Sequence, residues 1–338
     1  MKNINNKSLV ITSINPVNEI LQCIAKKAKE HSYSLIIVGD TKSPRDFFLE
    51  HGKYYSIRSQ KKIDLMFAQK CPHNTYARKN IGYLLAMQNG ADYILETDDD
   101  NLPGDKFFTI RPKTVDGPLV SVHDWVNIYE YFTNDICWPR GLPLDKIYNK
   151  VSSIKLSKVE RLCPIHQGLA NKDPDVDAIF RMVFRNDITF TPGKHLILDK
   201  YTWSPFNSQN TAWYPEAYPL MYLPVHCSFR MTDIYRSFVA QRIGWENNYF
   251  LHISPVSITQ YRNKHNLFSD FLMENLGYKT NAELVARLER LNLSAGAERI
   301  GDNIKKCYKV FIEMRLVEEK ELTLIDAWIE DINYITGN

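Results

Sequence analysis

An α/β fold, in which helices flank a largely parallel β-sheet, is predicted by three features of the N-terminal hundred residues. Residues 8–12 and 34–38 are short apolar runs typical of buried strands, and residues 16–30 between them carry apolar side chains at helical spacing. A further apolar run, Tyr93–Thr97, follows a second helical segment. This order predicts a βαβ unit, and ligands of such sheets bind beyond the carboxyl ends of the strands.

Length and composition predict a folded, soluble protein in the cytoplasm. The chain has 338 residues, 44% hydrophobic and 24% charged, which is enough to bury a core. It contains no apolar run of the ~20 residues that span a membrane, and no secretory signal is recognised. The six cysteines form no CxxC pair, which favours a reducing compartment. A net charge of +3 argues against a general nucleic-acid binder.

Asp40 follows the second predicted strand directly. Its position at a strand end makes it a candidate for nucleotide contact, and the alternative is an ordinary turn residue. Residues 53–57 are predicted to form a third strand, and residues 61–69 a short helix.

The next predicted helix has a polar cap at residues 74–75 and a glycine stop at Gly90. Arg78, Lys79 and Asn80 lie in its first turns. Cations at this end oppose the helix dipole, so they indicate either a nearby anionic ligand or a solvated helix face.

Three consecutive aspartates follow the strand Tyr93–Thr97. If the extended geometry continues, Asp98 and Asp100 project to one side and Asp99 to the other. Three ionised carboxylates repel one another unless a cation relieves the repulsion, and oxygen ligands in this number suit Mg²⁺ or Mn²⁺. The alternative is a solvated acidic turn.

The second half of the chain carries another acidic position. Asp233 directly precedes a predicted helix at residues 234–243 and is flanked by Arg230 and Arg236. This arrangement can orient a carboxylate while the arginines bind phosphates, although a helix-capping acid explains Asp233 equally simply. Residues 221–225 are predicted to form a strand.

Two further segments complete the candidate site and the fold. A probable strand end at residues 260–266 carries Arg262 and His265, which are candidates for diphosphate contact and for a third metal ligand. Asp173, Asp175 and Asp177 lead into a helix, for which capping is the simplest explanation. Residues 281–338 are predicted to form two or three amphipathic helices.

Six long blocks of this sequence occur in a fixed order: YARKNIGYLLAMQNGADYILETDDDN, WPRGLPLDKI, PIHQGLANKDPDVDAIFRM, PFNSQNTAW, YLPVHCSFRMTDIYRSFVAQR and QYRNKHN. Together these blocks resemble the glycosyltransferase-like domain of the plant STELLO proteins and their bacterial and protist relatives. The resemblance covers roughly residues 8–278 and suggests a soluble bacterial or viral member. The TDDDN and TDI elements more distantly resemble the DXD motif and the acidic helix-start motif of GT-A glycosyltransferases.

The resemblance implies a GT-A-like fold, which is a Rossmann-like mixed sheet flanked by helices. Residues 1–278 would form this domain, with a nucleotide-binding half at 1–115 and an acceptor half at 116–278, and residues 279–338 would be a helical C-terminal extension. The implied activity is a metal-dependent glycosyltransferase that uses Mn²⁺ or Mg²⁺ and a nucleoside-diphosphate sugar. A glycan or lipid-linked acceptor in surface polysaccharide synthesis is expected, and the C-terminal helices are a candidate surface for homo-oligomerisation.

The resemblance also implies roles for individual residues. Asp98 would meet the ribose or a metal-bound water, Asp100 would ligate the metal, and Asp233 would lie near the anomeric carbon. His265 and Asp98 complete the predicted metal ligands. The predicted donor contacts besides Asp98 are Asp40, Arg78, Asn80, Asp99, Arg230, Arg236 and Arg262.

Three functions remain open from the sequence. The preferred one is glycosyl transfer, in which Asp233 acts as a general base if the reaction inverts, or stabilises an oxocarbenium-like centre if it retains. A nucleotide-sugar mutase or nucleotidyltransferase would share the nucleotide fold and the metal. A catalytically inactive scaffold that binds partners is the alternative that is not an enzyme.

Overall fold

The N-terminal half contains the predicted parallel unit. The structure is a computed structural model that describes residues 4–151, 156–184, 186–263 and 266–337. Strand β1 (Lys7–Thr12) is followed by helix α1 (Glu19–Glu30), strand β2 (Tyr33–Val38) and strand β3 (Gly52–Tyr55). β1 pairs in parallel with β2 on one side and with β4 (Tyr93–Thr97) on the other, and β2 pairs in parallel with β3. The strands predicted in this region are confirmed.

The remaining elements extend this unit into one large mixed sheet. The further described strands are β5 (Asn101–Pro103), β6 (Thr114–Val120), β7 (Ser157–Leu162), β8 (Ile165–Lys172), β9 (Leu196–Leu198), β10 (Asn210–Trp213) and β11 (Leu251–Gln260). The further described helices are α2 (Ile57–Gln60), α3 (Met66–Lys70), α4 (Lys79–Gln88), α5 (Tyr129–Phe132), α6 (Ala178–Val183), α7 (Thr232–Glu246), α8 (Leu267–Glu289), α9 (Ile300–Glu313) and α10 (Glu321–Thr336).

The sheet is parallel at one end and mixed beyond it. Its strand order is β3-β2-β1-β4-β10-β8-β11-β9-β6-β7, and β5 pairs with β11. β10 runs antiparallel to both β4 and β8, whereas β8 and β11 are parallel. The structure thus confirms a mixed α/β architecture flanked by helices.

Both faces of the parallel strands are covered, which explains why their sequences are continuously apolar. Leu9 and Ile11 of β1 share a core with Ile24 of α1. Val10, which points to the opposite face, packs in a second core with Ile81 of α4. α1 and α4 therefore cover opposite faces of the sheet, and the strand ends between them stay accessible.

Helix α4 begins and ends where the sequence indicates. Thr75 caps a 3-10 turn at Tyr76–Arg78 by accepting a hydrogen bond from the Ala77 amide, and α4 continues from that turn. Gly90 adopts a left-handed φ of 74° after the last turn, as predicted for a glycine stop.

Two predicted elements differ from the structure. Residues 221–225 do not form a strand but follow a 3-10 helix at Pro215–Met221. The Leu223 amide and carbonyl both bond to the side chain of Asn80, which replaces the ladder bonds that a strand would need. The short helix predicted at residues 61–69 is also misplaced, because Ile57–Gln60 and Met66–Lys70 are helical instead.

The C-terminal helices pack into the same core as the sheet. Tyr308, Phe311 and Trp328 belong to the core that contains Ile81 of α4. Asp331 of α10 accepts hydrogen bonds from the first amides of α3. The division at residue 278 stays a prediction, and α8 runs continuously across that position. None of the helices in the described ranges is both long and apolar enough to cross a membrane.

Three histidines lie side by side at the end of the sheet opposite the carboxyl end of β11: His166 on β8, His252 on β11, and His195 directly before β9. His252 Nδ1 lies 2.8 Å from His166 Nδ1, and His252 Nε2 lies 3.2 Å from His195 Nδ1. Burial, with the neighbouring His195 and Arg111, lowers the pKa of His252 to about 3. Burial likewise holds the pKa of His166 well below its usual range.

We expect this cluster to make the fold sensitive to acid. The folded state keeps His252 neutral while the unfolded state protonates it near pH 6.5, so its contribution is fully present above that pH. It is lost as pH falls toward 3, by about 1.4 kcal/mol per pH unit. Urea denaturation between pH 7 and pH 5 should show a smaller pH dependence in His252→Gln than in the wild type. The exposed His73→Gln variant is the control, and equal slopes in all three proteins would contradict the prediction.

Candidate active site

A cleft of about 550 Å³ opens at the carboxyl ends of four strands. Its walls include residues 12–15 after β1, 38–40 at the end of β2, 98–100 after β4, and 260 with 262–263 at the end of β11. This is the edge at which parallel sheets bind ligands. The predicted positions Asp40, Arg78, Asp98, Asp99, Asp100, Arg230, Asp233 and Arg262 all line the cleft.

Asp100 is buried and incompletely hydrogen bonded. Its Oδ2 accepts a bond from Gln260 Nε2 at 3.2 Å. Asp100 Oδ1 and Gln260 Oε1 are both buried without a hydrogen-bond partner among the described residues. Burial, together with the charges of Asp98 and Asp99, raises the pKa of Asp100 to about 7. Two buried oxygens without donors are what a cation would satisfy.

The donor set fits a divalent cation only in part. In the described ranges, no group of three or more histidine, cysteine, aspartate or glutamate side chains is arranged to hold a metal ion. Mg²⁺ typically takes one or two carboxylates and completes its shell with water and substrate phosphates, and the two cleft carboxylates Asp98 and Asp100 match that number. His265, the predicted third ligand, lies outside the described residues.

Lys79, one of the cations at the start of α4, has its partners within the protein. Its side chain is fully buried, and its Nζ lies 3.0 Å from Asp98 Oδ1, 2.8 Å from the Thr97 carbonyl and 2.8 Å from Tyr76 Oη. The charge is therefore matched by an internal carboxylate. Sequence reasoning did not assign this partner, because a lysine in a first helical turn is usually exposed.

The three aspartates do not continue as a strand. The chain turns after Asp98, with the Asn101 amide 3.4 Å from the Asp98 carbonyl. Asp99 Oδ2 accepts bonds from Ser13 Oγ at 2.5 Å and Asn15 Nδ2 at 3.0 Å. Each carboxylate thus contacts a different segment of the cleft wall, and the alternation expected of extended geometry is not observed.

Asp40 holds a neighbouring loop in place. Its Oδ1 accepts from the Thr41 amide at 2.7 Å, and its Oδ2 accepts from the Thr75 amide at 3.1 Å. The side chain therefore fastens the segment before α4 to the end of β2, which matches the turn interpretation, while Asp40 remains in the cleft wall.

Asp233 is held by an arginine that the sequence analysis did not assign. Arg140 Nη2 lies 2.9 and 3.0 Å from the two Asp233 oxygens and 2.8 Å from Asp175 Oδ2. Burial would raise the pKa of Asp175, but the Arg140 guanidinium outweighs it and lowers that pKa to about 2. Asp177, in contrast, caps α6 as predicted, by accepting from the Phe180 amide.

A hydrogen-bonded bridge connects Asp233 to Asp98. The Ser208 amide donates to Asp233 Oδ2 at 3.3 Å, and Ser208 Oγ lies 2.5 Å from Tyr76 Oη. Tyr76 Oη in turn donates to Asp98 Oδ1 at 2.7 Å. The acidic turn after β4 and the acid at the start of α7 therefore belong to one continuous network.

Three of the predicted donor contacts use their polar atoms for bonds within the protein. The Asn80 amide is engaged with the Leu223 backbone, and Arg236 is fully buried against Glu96 at 2.8 Å. Arg78 lines the cleft, but its guanidinium donates to a glutamine side chain and two backbone carbonyls. We therefore withdraw Asn80 and Arg236 as donor contacts, because their polar atoms are used to join segments of the fold.

Two arginines face the cleft near the end of β11. Arg230 Nη2 pairs with Glu274 Oε1 at 2.7 Å. Arg262 has a long ion pair with Asp270, 3.7 Å, and its Nε has no hydrogen-bond partner among the described residues. Burial, with repulsion from neighbouring arginines, lowers the pKa of Arg262 to about 9. A bound anion would accept a hydrogen bond from Arg262 Nε and would stabilise the buried guanidinium charge.

Fold and site together define an α/β protein whose strand-end cleft is lined by both carboxylates and arginines. Comparison with known proteins relates this chain to one family within that class. Residues 230–337 match the family model of the STELLO glycosyltransferases. The match contains Asp233, Arg262 and the C-terminal helices, which extends the relationship beyond residue 278.

Two curated plant proteins are similar over longer stretches. "Probable glycosyltransferase STELLO2" of Arabidopsis thaliana is 25% identical over 334 residues, covering 90% of this chain and 42% of that protein. "Probable glycosyltransferase STELLO1" of the same plant is 27% identical over 254 residues, covering 67% of this chain and 32% of that protein. The chain thus spans less than half the length of these relatives, and the predicted resemblance of its sequence to the STELLO proteins is confirmed.

Proposed function

We propose that this protein is a metal-dependent glycosyltransferase of the GT-A type that transfers a sugar from a nucleoside-diphosphate sugar to an acceptor hydroxyl. The proposal rests on one observation: the same cleft contains buried oxygens and a buried guanidinium nitrogen that have no hydrogen-bond partner among the described residues. Within the described ranges, the buried Asp100 Oδ1 and Gln260 Oε1 have no donor, and the buried Arg262 Nε has no acceptor. A metal-bound diphosphate supplies the cation and the anion together. The similarity to STELLO glycosyltransferases supports the same reaction class.

The residues that fit a divalent ion are Asp100 and Asp98, with the Gln260 amide oxygen beside them. Mn²⁺ or Mg²⁺ bound there would neutralise the charge that develops on the leaving diphosphate. Arg262 and Arg230 line the same cleft, and we propose them as the contacts of the diphosphate oxygens. Lys79 and Tyr76 fix the orientation of Asp98 from the protein side.

Asp233 is proposed as the carboxylate next to the reacting carbon. Arg140 donates to both of its oxygens and the Ser208 amide donates to Oδ2, which fixes the direction of the carboxylate. Both stereochemical courses need this charge, since an inverting reaction requires a base for the acceptor hydroxyl and a retaining one requires stabilisation of positive charge. A role in surface polysaccharide synthesis, a cytoplasmic location and assembly through the C-terminal helices stay predictions.

The proposal predicts that Asp100→Asn abolishes metal-dependent donor turnover. We expect UDP, GDP, CDP or ADP with Mn²⁺ to raise the melting temperature of the wild type, and the corresponding nucleotide sugar to be hydrolysed slowly. Hydrolysis by Asp100→Asn should fall by about 100-fold or more, because the metal supplies several kcal/mol of charge stabilisation. The exposed Asp105→Asn variant is the matched control.

Mass analysis of the products separates this proposal from its competitors. Transfer or hydrolysis releases a nucleoside diphosphate, whereas a mutase leaves the donor mass unchanged and a nucleotidyltransferase involves pyrophosphate. Absence of nucleotide binding would favour a scaffold, and equal Mn²⁺ dependence in Asp100→Asn would refute the metal assignment.

A further inference from the structure

We propose that Phe229 is an aromatic platform for a sugar ring of the acceptor, beside Asp233. This inference rests on the proposed glycosyltransferase function and names the chemical class of its acceptor: a saccharide with a pyranose ring. Phe229 does not belong to any of the predicted donor or metal positions.

Phe229 is exposed inside the cleft. It lines the same wall as Arg230 and Asp233, and 53% of its surface is accessible. Its ring meets the Tyr76 ring edge to face, at a centroid distance of 5.8 Å and an interplanar angle of 79°. Tyr76 carries the bridge between Asp98 and Asp233, so the platform lies next to the network that joins the two acids.

The exposure of Phe229 is fixed by its neighbours in the chain. Ser228 Oγ donates to the Met273 carbonyl at 2.5 Å, and Arg230 pairs with Glu274 at 2.7 Å. Both partners lie on α8, so the residues before and after Phe229 are fastened to one long helix. The aromatic ring between them is presented to the cleft by a constrained 3-10 turn. An apolar side chain held exposed at a binding cleft indicates a ligand with an apolar surface.

The position of the ring favours the acceptor over the nucleotide. The turn that carries Phe229 runs directly into α7, and Asp233 is in the first turn of that helix. The cleft-lining strand ends at residues 12–15 and 38–40, in contrast, belong to the predicted nucleotide-binding half, residues 1–115. A pyranose has faces of C–H groups that can stack on an aromatic ring, while its hydroxyls point outward toward polar groups such as Asp233.

The test uses Phe229→Ala and two comparison variants of the full chain. Phe229→Trp keeps an aromatic surface, and Phe268→Ala removes a phenylalanine that is 64% exposed on α8 outside the cleft lining. Saturation-transfer NMR measures binding of a panel of methyl α- and β-pyranosides and short oligosaccharides. Calorimetry measures binding of nucleoside diphosphate with Mn²⁺, and product assays measure donor hydrolysis and sugar transfer.

We expect Phe229→Ala to lose saccharide binding and to lower kcat/KM for the saccharide by about tenfold, mainly through KM. Diphosphate binding and donor hydrolysis should stay within about twofold of the wild type, and the other two variants should behave like the wild type. Unchanged saccharide binding in Phe229→Ala, or no saccharide binding by the wild type, would overturn the inference. A tenfold loss of diphosphate binding would also overturn it, because the ring would then serve the nucleotide.

The two proposals fail in different ways. If the wild type neither binds nor hydrolyses any donor, the glycosyltransferase function is wrong, whereas the NMR experiment still reports on the platform. If donor hydrolysis proceeds and depends on Asp100, but saccharide binding is indifferent to Phe229, only the platform is wrong.

Discussion

Replacing Asp233 with asparagine should lower kcat for sugar transfer by about a thousandfold, while KM for the donor changes by no more than about twofold. Asparagine preserves the size of the side chain, and its single oxygen can keep one of the two bonds that Asp233 accepts from the Ser208 and Ile234 amides. It cannot carry the negative charge that either stereochemical course requires. Arg140 keeps its ion pair with Asp175, so the local fold should persist. Initial rates over a range of donor concentrations provide the measurement.

Asp173→Asn is the matched control for this prediction. Asp173 pairs with Arg181 at 2.8 Å and does not line the cleft, so the same chemical change there should leave kcat within about twofold. Comparable activity of Asp233→Asn and Asp173→Asn would exclude a direct role of Asp233 in the reaction.

Replacing Arg236 with methionine should destabilise the protein by about 3–5 kcal/mol, as expected when one partner of a buried ion pair is removed. Arg236 and Glu96 are both fully buried, with Nη2 2.8 Å from Oε1. Glu96 also accepts a bond from Trp213 Nε1 at 2.8 Å and one from the Tyr83 hydroxyl. Without Arg236, the carboxylate keeps these two donors but loses its only close guanidinium among the described residues. Urea denaturation gives the free energy of unfolding.

Two further variants test whether the loss of stability in Arg236→Met comes from the buried ion pair. Arg287→Met breaks an exposed pair with Glu283 on one helix face and should cost less than about 1 kcal/mol. Combining Arg236→Met with Glu96→Gln removes both charges, so it should recover part of the lost stability. A loss in Arg236→Met no larger than that in Arg287→Met would show that the buried pair is not important for stability.

Local patterns in the sequence located much of the candidate site. The apolar runs predicted where the strands end. Asp40 and the three aspartates follow two of these strand ends, and all four line one cleft. The residue type and position of Asp177 gave a helix cap that the structure confirms. These features depend on side-chain periodicity and on hydrogen bonds within a few residues, which can be inferred from a short window of sequence.

The partners of the buried charges could not be inferred in the same way. Arg140 and Asp233 are separated by 93 residues, and Ser208 and Tyr76 by 132. No local pattern indicates that the segment after α5, which carries Arg140, will contact the start of α7. Arg140 lies in the block WPRGLPLDKI, which resembles the STELLO proteins. The residues next to it in the sequence give no indication that it binds two aspartates.

Arg236 illustrates the limit most clearly. It lies three residues after Asp233, and this spacing predicted that both would face the ligand. The fold instead turns Arg236 toward Glu96 on β4, because a buried carboxylate there requires a cation. Lys79 likewise pairs with Asp98 and not with a bound anion.

The sequence by itself therefore determined the α/β class, the order of the first strands and the cleft edge where the acids lie. The tertiary structure decided which acid each cation neutralises, that Asp98 and Asp233 share one network, and that Phe229 is exposed in the same cleft. The physical reason is the separation along the sequence over which each kind of interaction acts. Periodicity and capping act within a few residues, whereas a buried charge takes whichever opposite charge the packing of distant segments brings within hydrogen-bond distance.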